Sequence, residues 1–227
     1  MPQRLIPREF YLRPVVEVAR DLLGRHLRHF DVVLRITEVE AYAGQDDTAS
    51  HCRSGRTPRN APMWEEGGRA YVYFCYGMHH MLNIVTGPAG DGSAILIRGC
   101  EPVAGLELVR RRRCGPGGQA PTGPALLTGP GKVAQALGVD LSFTRHLLYR
   151  EGGLELREGT PPAGVLSGPR VGVDFASDLD RARPWRFALA GSLWVSQPRG
   201  LAPDLTGAAN DGQPAATGPA APGTRPR

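Results

Sequence analysis

Two glutamates, Glu38 and Glu40, sit near the end of the stretch L-R-I-T-E-V-E-A-Y over residues 34–42. If that stretch is a strand, successive side chains alternate between its faces, and Leu34, Ile36, Glu38, Glu40 and Tyr42 are expected to share one. An apolar face then turns acidic. If it is the buried face, two carboxylates lie in or beside the core, which is costly unless they are paired, hydrogen-bonded or placed in a cleft. Carboxylates in such surroundings can do acid–base chemistry, and a break in local pattern is where functional sites are expected. The alternative is a strand that simply emerges into water at its end, and alternation does not separate the two.

A second cluster lies further along the chain. Residues 69–76 contain Tyr71, Tyr73, Phe74 and Tyr76, then Met78, His79 and His80 where a hairpin turn is expected. Aromatic strand residues ordinarily pack across strands. Tyr73 and Tyr76 face opposite sides, however, and a tyrosine at an exposed tip buries nothing within its own fold. Arg53, Arg56 and Arg59 alternate with small polar residues in R-S-G-R-T-P-R-N, either as a solvated loop or as guanidinium groups for phosphates. His51 beside Cys52, and the pair His79 and His80, form no HExxH and no deaminase-type HxE with PCxxC, so no metal or other cofactor is expected.

These groups need a scaffold. A chain of 227 residues can bury a core without covalent staples. Cys52, Cys75, Cys100 and Cys114 contain no CxxC and are expected as free thiols. No apolar run approaches the ~20 residues that span a bilayer, and MPQRLIPREF lacks the apolar region of a secretory signal. A cytoplasmic, intracellular protein without membrane contact is expected, nucleoid-associated if bacterial. The net charge of +5 and a pI near 9.3 suit a polyanionic partner, although an arginine excess with a single lysine also fits a coding bias.

Apolar spacing predicts a helix over 15–27, and alternation predicts strands over 31–42, 69–76, 81–86 and 94–98, with a tight turn at 87–92. Helices are expected over 101–113 and 132–137, separated by a Gly/Pro-rich stretch at 115–130, and short strands near Val171, Phe187 and Trp194. Strands adjacent in sequence with helices at the ends indicate a single α+β domain over 1–200. Residues 201–227, rich in Ala, Gly, Pro and Thr, are expected to be a disordered tail.

Taken in order, TEVEAYAGQDDTASHCRSGRTPRN, AYVYFCYGMHHMLNIV and GDGSAILIRGCEP resemble the alkyladenine DNA glycosylase family, the 3-methyladenine glycosylases of mammalian type. The resemblance runs from about Arg8 through GPGKVAQAL, RVGVD and SLWVS to about Ser196. It implies a curved, mainly antiparallel sheet with flanking helices and a protruding hairpin that enters damaged double-stranded DNA, carried by a monomer without cofactor. It matches Glu40 to the catalytic base. Arg98 and the Val171 carbonyl then help hold the attacking water, and Glu38 is structural. Tyr42, His51 and Tyr73 match the pocket for the flipped base, Asn83 the residue that excludes guanine, and Tyr76 the intercalating side chain. Arg56, Arg59 and Lys132 are expected at the DNA backbone. The implied reaction releases alkylated or deaminated purines (3-methyladenine, 7-methylguanine, hypoxanthine, ethenoadenine) and leaves an abasic site. Because a Schiff base would need Lys132 or the N-terminal amine, water is the expected nucleophile. His79, His80, Cys52 and Asp174 depart from the family pattern. A damaged-DNA binding module without turnover is the competing expectation.

Overall fold

The computed structural model describes residues 3–75, 77–115 and 118–205. Its first helix, α1 (Val15–Leu22), buries Val15, Val18, Ala19 and Leu22 along one stripe against the sheet. It stops short of the expected residue 27. Leu23 is extended and Gly24 takes φ +83°, where a Cβ would lie 2.2 Å from the Thr160 carbonyl oxygen. The chain turns there into β1 (His26–His29), a strand that the helical spacing concealed.

β1 pairs with β2 (Val32–Tyr42), and β2 lies against β5 (Ser93–Ala104) along most of its length. β3 (Ala70–Cys75) and β4 (His79–Thr86) form the hairpin, so His79 and His80 pair with Cys75 and Phe74 in the ladder instead of making the turn. Tyr76 lies outside the described residues. α2 (Leu106–Arg113) starts after Gly105, because residues 101–104 continue β5 where a helix was expected. α3 (Pro130–Leu137) packs on β4 and β5, with proline at its first position. Next come β6 (Leu154–Arg157), β7 (Val165–Gly168), the short α4 (Asp178–Ala182), β8 (Arg186–Leu189) and β9 (Ala202–Pro203).

The sheet is antiparallel throughout, in the order β3-β4-β5-β2-β8-β7-β9, with β1 branching from β2 and β6 pairing with β1. This is a single α+β domain. Near Val171 and Trp194 no strand forms among the described residues; the first is displaced to β7, and the Trp194 carbonyl instead accepts from the Thr37 hydroxyl. Ala202–Pro203, counted with the expected tail, pairs with β7, and Asp204 forms a 2.6 Å ion pair with Arg20 of α1. The remainder of that segment, from residue 206, lies outside the described residues. The four cysteines are free thiols, and no helix among the described residues is long and apolar enough to cross a membrane.

Three register shifts interrupt the pairing of β2 with β5; the first makes Val103 an extra residue on β5, and the other two flank Glu38. Ile36 opposes Cys100 while Glu38 opposes Gly99, which makes Thr37 an extra residue on β2. Val39 then opposes Ile97, which makes Arg98 an extra residue on β5. An extra residue resets the alternation and re-aims the side chains around it. Leu34 and Ile36 therefore share their core with Val39 and Ala41, and not with Glu38 and Glu40. The single face expected for Leu34, Ile36, Glu38, Glu40 and Tyr42 is corrected to two faces, changing over at Thr37.

Candidate active site

Beyond the bulge, Glu40 is fully buried and bonded from three directions. The Val171 amide donates to its Oε1 at 2.7 Å, the Tyr42 hydroxyl donates to Oε2 at 2.8 Å, and Arg98 Nη1 lies 3.3 Å from Oε2. Glu38 has different partners: it accepts from the Ser196 amide at 2.6 Å and from Arg186 Nη1 at 3.3 Å, with Arg98 Nε at 3.6 Å. Arg98 thus bridges both carboxylates. It can do so because the bulge turns it toward β2, while its carbonyl is taken by the Gly129 amide ahead of α3 at 2.8 Å.

Burial pushes the Glu40 carboxyl above its ordinary value, and Glu38 adds to the rise; the Arg98 charge, the Val171 amide and the Tyr42 hydroxyl oppose it. These opposed influences leave a group that holds a proton more readily than a surface carboxylate, as a base taking one from water must.

Beside it opens a cavity of about 320 Å³, within the range of small-ligand sites at ~300–1,000 Å³. Tyr42, His51, Tyr71, Tyr73, Asn83 and Arg98 are among its lining residues. The His51 ring meets Tyr73 edge-on at 4.6 Å and its Nδ1 lies 3.2 Å from the Tyr71 hydroxyl, while Tyr71 and Tyr73 are 5.6 Å apart. Asn83 Nδ2 donates to the carbonyls of Tyr71 and Met81, which fixes its amide against the floor. Burial raises the Tyr42 and Tyr73 phenols well above their ordinary range and pushes Tyr71 to about 12. Enclosure, with Arg59 and Arg53 nearby, lowers His51 to about 4, an effect that water moderates at its exposed outer edge. Near neutral pH the slot therefore carries uncharged rings.

Of the residues expected at a site, the structure brings together Glu40, Arg98, Val171, Tyr42, His51, Tyr73 and Asn83. Val171 in addition donates its N–H to Glu40, a contact beyond the role expected of its carbonyl. Arg59 lies on the rim, with its guanidinium carbon 5.8 Å from the Tyr73 ring centre, and Arg56 is exposed in the same loop. Lys132 stands half-buried in the first turn of α3, outside the cavity lining. Sequence reasoning missed Tyr71 as a wall residue, Phe175 at the mouth and the buried pair of Arg170 with Asp47. Only Tyr71 had a signal, its i, i+2 relation to Tyr73. Among the described residues no three His, Cys, Asp or Glu side chains are grouped to hold a metal ion.

A buried carboxylate braced by an arginine beside an aromatic slot suits a class of enzymes that do acid–base chemistry on a flat-ringed ligand. Similarity to known proteins defines that class more closely. The model of the methylpurine-DNA glycosylase (MPG) family matches residues 9–193. A protein of Nitrosococcus oceani assigned by name to the 3-methyladenine DNA glycosylases is 56% identical over 200 residues, 86% of this chain and 97% of that protein. The DNA-3-methyladenine glycosylase of Arabidopsis thaliana is 49% identical over 197 residues, 86% of this chain and 76% of that protein. The chain belongs to the methylpurine-DNA glycosylase family, and is a DNA N-glycosylase.

Proposed function

We propose that this enzyme acts as a monomer on damaged double-stranded DNA, takes an alkylated or deaminated purine into the aromatic cavity, and hydrolyses its N-glycosidic bond with water to leave an abasic site. The observation that carries the reading is Glu40, buried under three donors, Tyr42, Arg98 and the Val171 amide, whose residues line a slot of neutral rings. As the bond to the base lengthens, charge grows on the sugar; the Glu40 carboxylate stabilises it and takes the proton of the incoming water. Arg98 and the Val171 amide keep that carboxylate charged and aimed. Tyr42, Tyr73 and His51 stack on and hold the base, and a purine made cationic by ring alkylation is drawn to tyrosine faces. Asn83, fixed against the floor, excludes the exocyclic amine of guanine.

A damaged base also costs less to extrude, since unstacking an intact pair takes a few kcal/mol. Tyr76, the proposed intercalating residue, lies outside the described residues. Arg56, Arg59 and Lys132 are assigned to backbone phosphates. Water rather than an amine is the proposed nucleophile, because a Schiff base would need Lys132, the one lysine of the chain, or the N-terminal amine. The substrate class includes 3-methyladenine, after which the relatives are named, with 7-methylguanine, hypoxanthine and ethenoadenine as further members.

The test is a set of duplexes each carrying one lesion. Free base should appear, with strand breaks only after alkali and no trapping by borohydride. A borohydride-trapped covalent complex, or tight binding with no base released from any lesion, contradicts the proposal.

A further inference from the structure

Behind the cavity wall, Arg170 and Asp47 form an ion pair with both side chains fully buried. Arg170 Nη1 donates to Asp47 Oδ2 at 2.5 Å and to the Ala41 carbonyl at 2.9 Å; Nη2 donates to Asp47 Oδ1 at 2.8 Å and to the Asp180 carbonyl at 3.1 Å. Asp47 in turn accepts the amides of Ala43 at 3.1 Å and Ala49 at 3.0 Å. The guanidinium carbon lies 4.8 Å from the Tyr42 ring centre and 5.3 Å from that of Trp185. Arg170 is not a cavity-lining residue, so it approaches Tyr42 from outside the slot.

A buried ion pair adds little stability over apolar packing of the same volume, and its best-attested use is to fix one arrangement. Here it joins three segments at the cavity: the end of β2 with Glu40 and Tyr42, the loop through Ala49 to His51, and the segment whose next residue, Val171, donates to Glu40. Only a guanidinium offers enough donors in one plane to reach Asp47 twice and two carbonyls besides.

We propose that Arg170, held by Asp47, is a positioning residue: stacked behind Tyr42 and adjacent in the chain to Val171, it aims the Tyr42 hydroxyl and the Val171 amide at Glu40. One element of the wall thereby sets both the stacking face for the base and the proton affinity of the carboxylate. The groups facing Glu40 are Arg98 from β5, Glu38 and Tyr42 from β2, Tyr73 from β3 and the Val171 amide, with Arg186 of β8 behind Glu38. Arg170 acts on this set through two of its members. The proposal rests on the reading of Glu40 as the base.

The experiment compares wild type, Arg170→Lys, Asp47→Asn and Glu40→Gln in single-turnover release of 7-methylguanine from duplex DNA between pH 4.5 and 8.5, with thermal melting of each protein. Because donors to a carboxylate favour its charged form, misaligning two of them should move the acid limb of the rate profile upward by about one pH unit and slow release about 10- to 100-fold on the plateau. Asp47→Asn keeps oxygen for one backbone amide and should shift the limb in the same direction. A lower melting temperature with an unchanged limb and plateau in both variants overturns the proposal and leaves the pair purely structural. Should Glu40→Gln release base at the wild-type rate, it is the reading of Glu40 that fails, whatever the Arg170 variants do.

Discussion

At the residue level, the site works by setting protonation states through surroundings. His51 illustrates this, because its sequence neighbours do not reveal whether it is a charged rim residue or a neutral wall. Placed against Tyr71 and Tyr73 and near two arginines, it is lowered to about 4 and is neutral near pH 7. Nuclear magnetic resonance titration of its ring should give a midpoint well below the ordinary ~6.5; a midpoint at the ordinary value would place His51 in open solvent. The same shift affects stability. Where the unfolded chain binds the proton and the folded one does not, between about 4 and the ordinary value, His51 removes stability as pH falls. Glu40, Arg98 and the aromatic wall were legible from their types and from the family resemblance. The Asp47 and Arg170 pair was not, since its partners lie 123 residues apart and neither carries a local signature.

Among the elements, those with long local periodicity were readable: α1, β2, the β3–β4 hairpin and α3 fall close to where spacing puts them. Short strands were hidden or misplaced: helical spacing concealed β1 although it forms a hairpin with β2, while β6 and β7 rest on pairing with segments far along the chain. The bulges were illegible for the same reason, because only the register against β5 shows that Thr37 and Arg98 are extra residues. Gly99 is the point on which they turn. A Cβ there would lie 2.7 Å from the Trp194 carbonyl oxygen and 3.1 Å from Glu38 Cβ, so the backbone would have to move. Gly99→Val should cost about 2–3 kcal/mol in urea unfolding and slow excision by displacing Arg98. Wild-type stability together with wild-type activity would show that the bulge carries no strain and does not aim the arginine.

For the whole molecule, the Arg20–Asp204 ion pair and the β7–β9 pairing tie residues 202–204, counted with the expected tail, to the sheet. We propose that the glycosylase domain extends at least through Asp204. Removing the chain from Ala202 onward should lower the melting temperature by several degrees, roughly what ~1–2 kcal/mol does in a domain of this size. Melting unchanged by that removal would contradict the proposal.

The remaining scaffold, a sheet backed by α1 on one side and α3 beside the hairpin, serves to hold one carboxylate, one arginine and an aromatic slot together. Measuring base release by Glu40→Gln on a duplex containing 3-methyladenine, alongside its binding to the same duplex, tests that account most directly. Retained binding with release slowed by about 1,000-fold or more, on the order of 4 kcal/mol of lost transition-state stabilisation, is the predicted result. Release at the wild-type rate would contradict it.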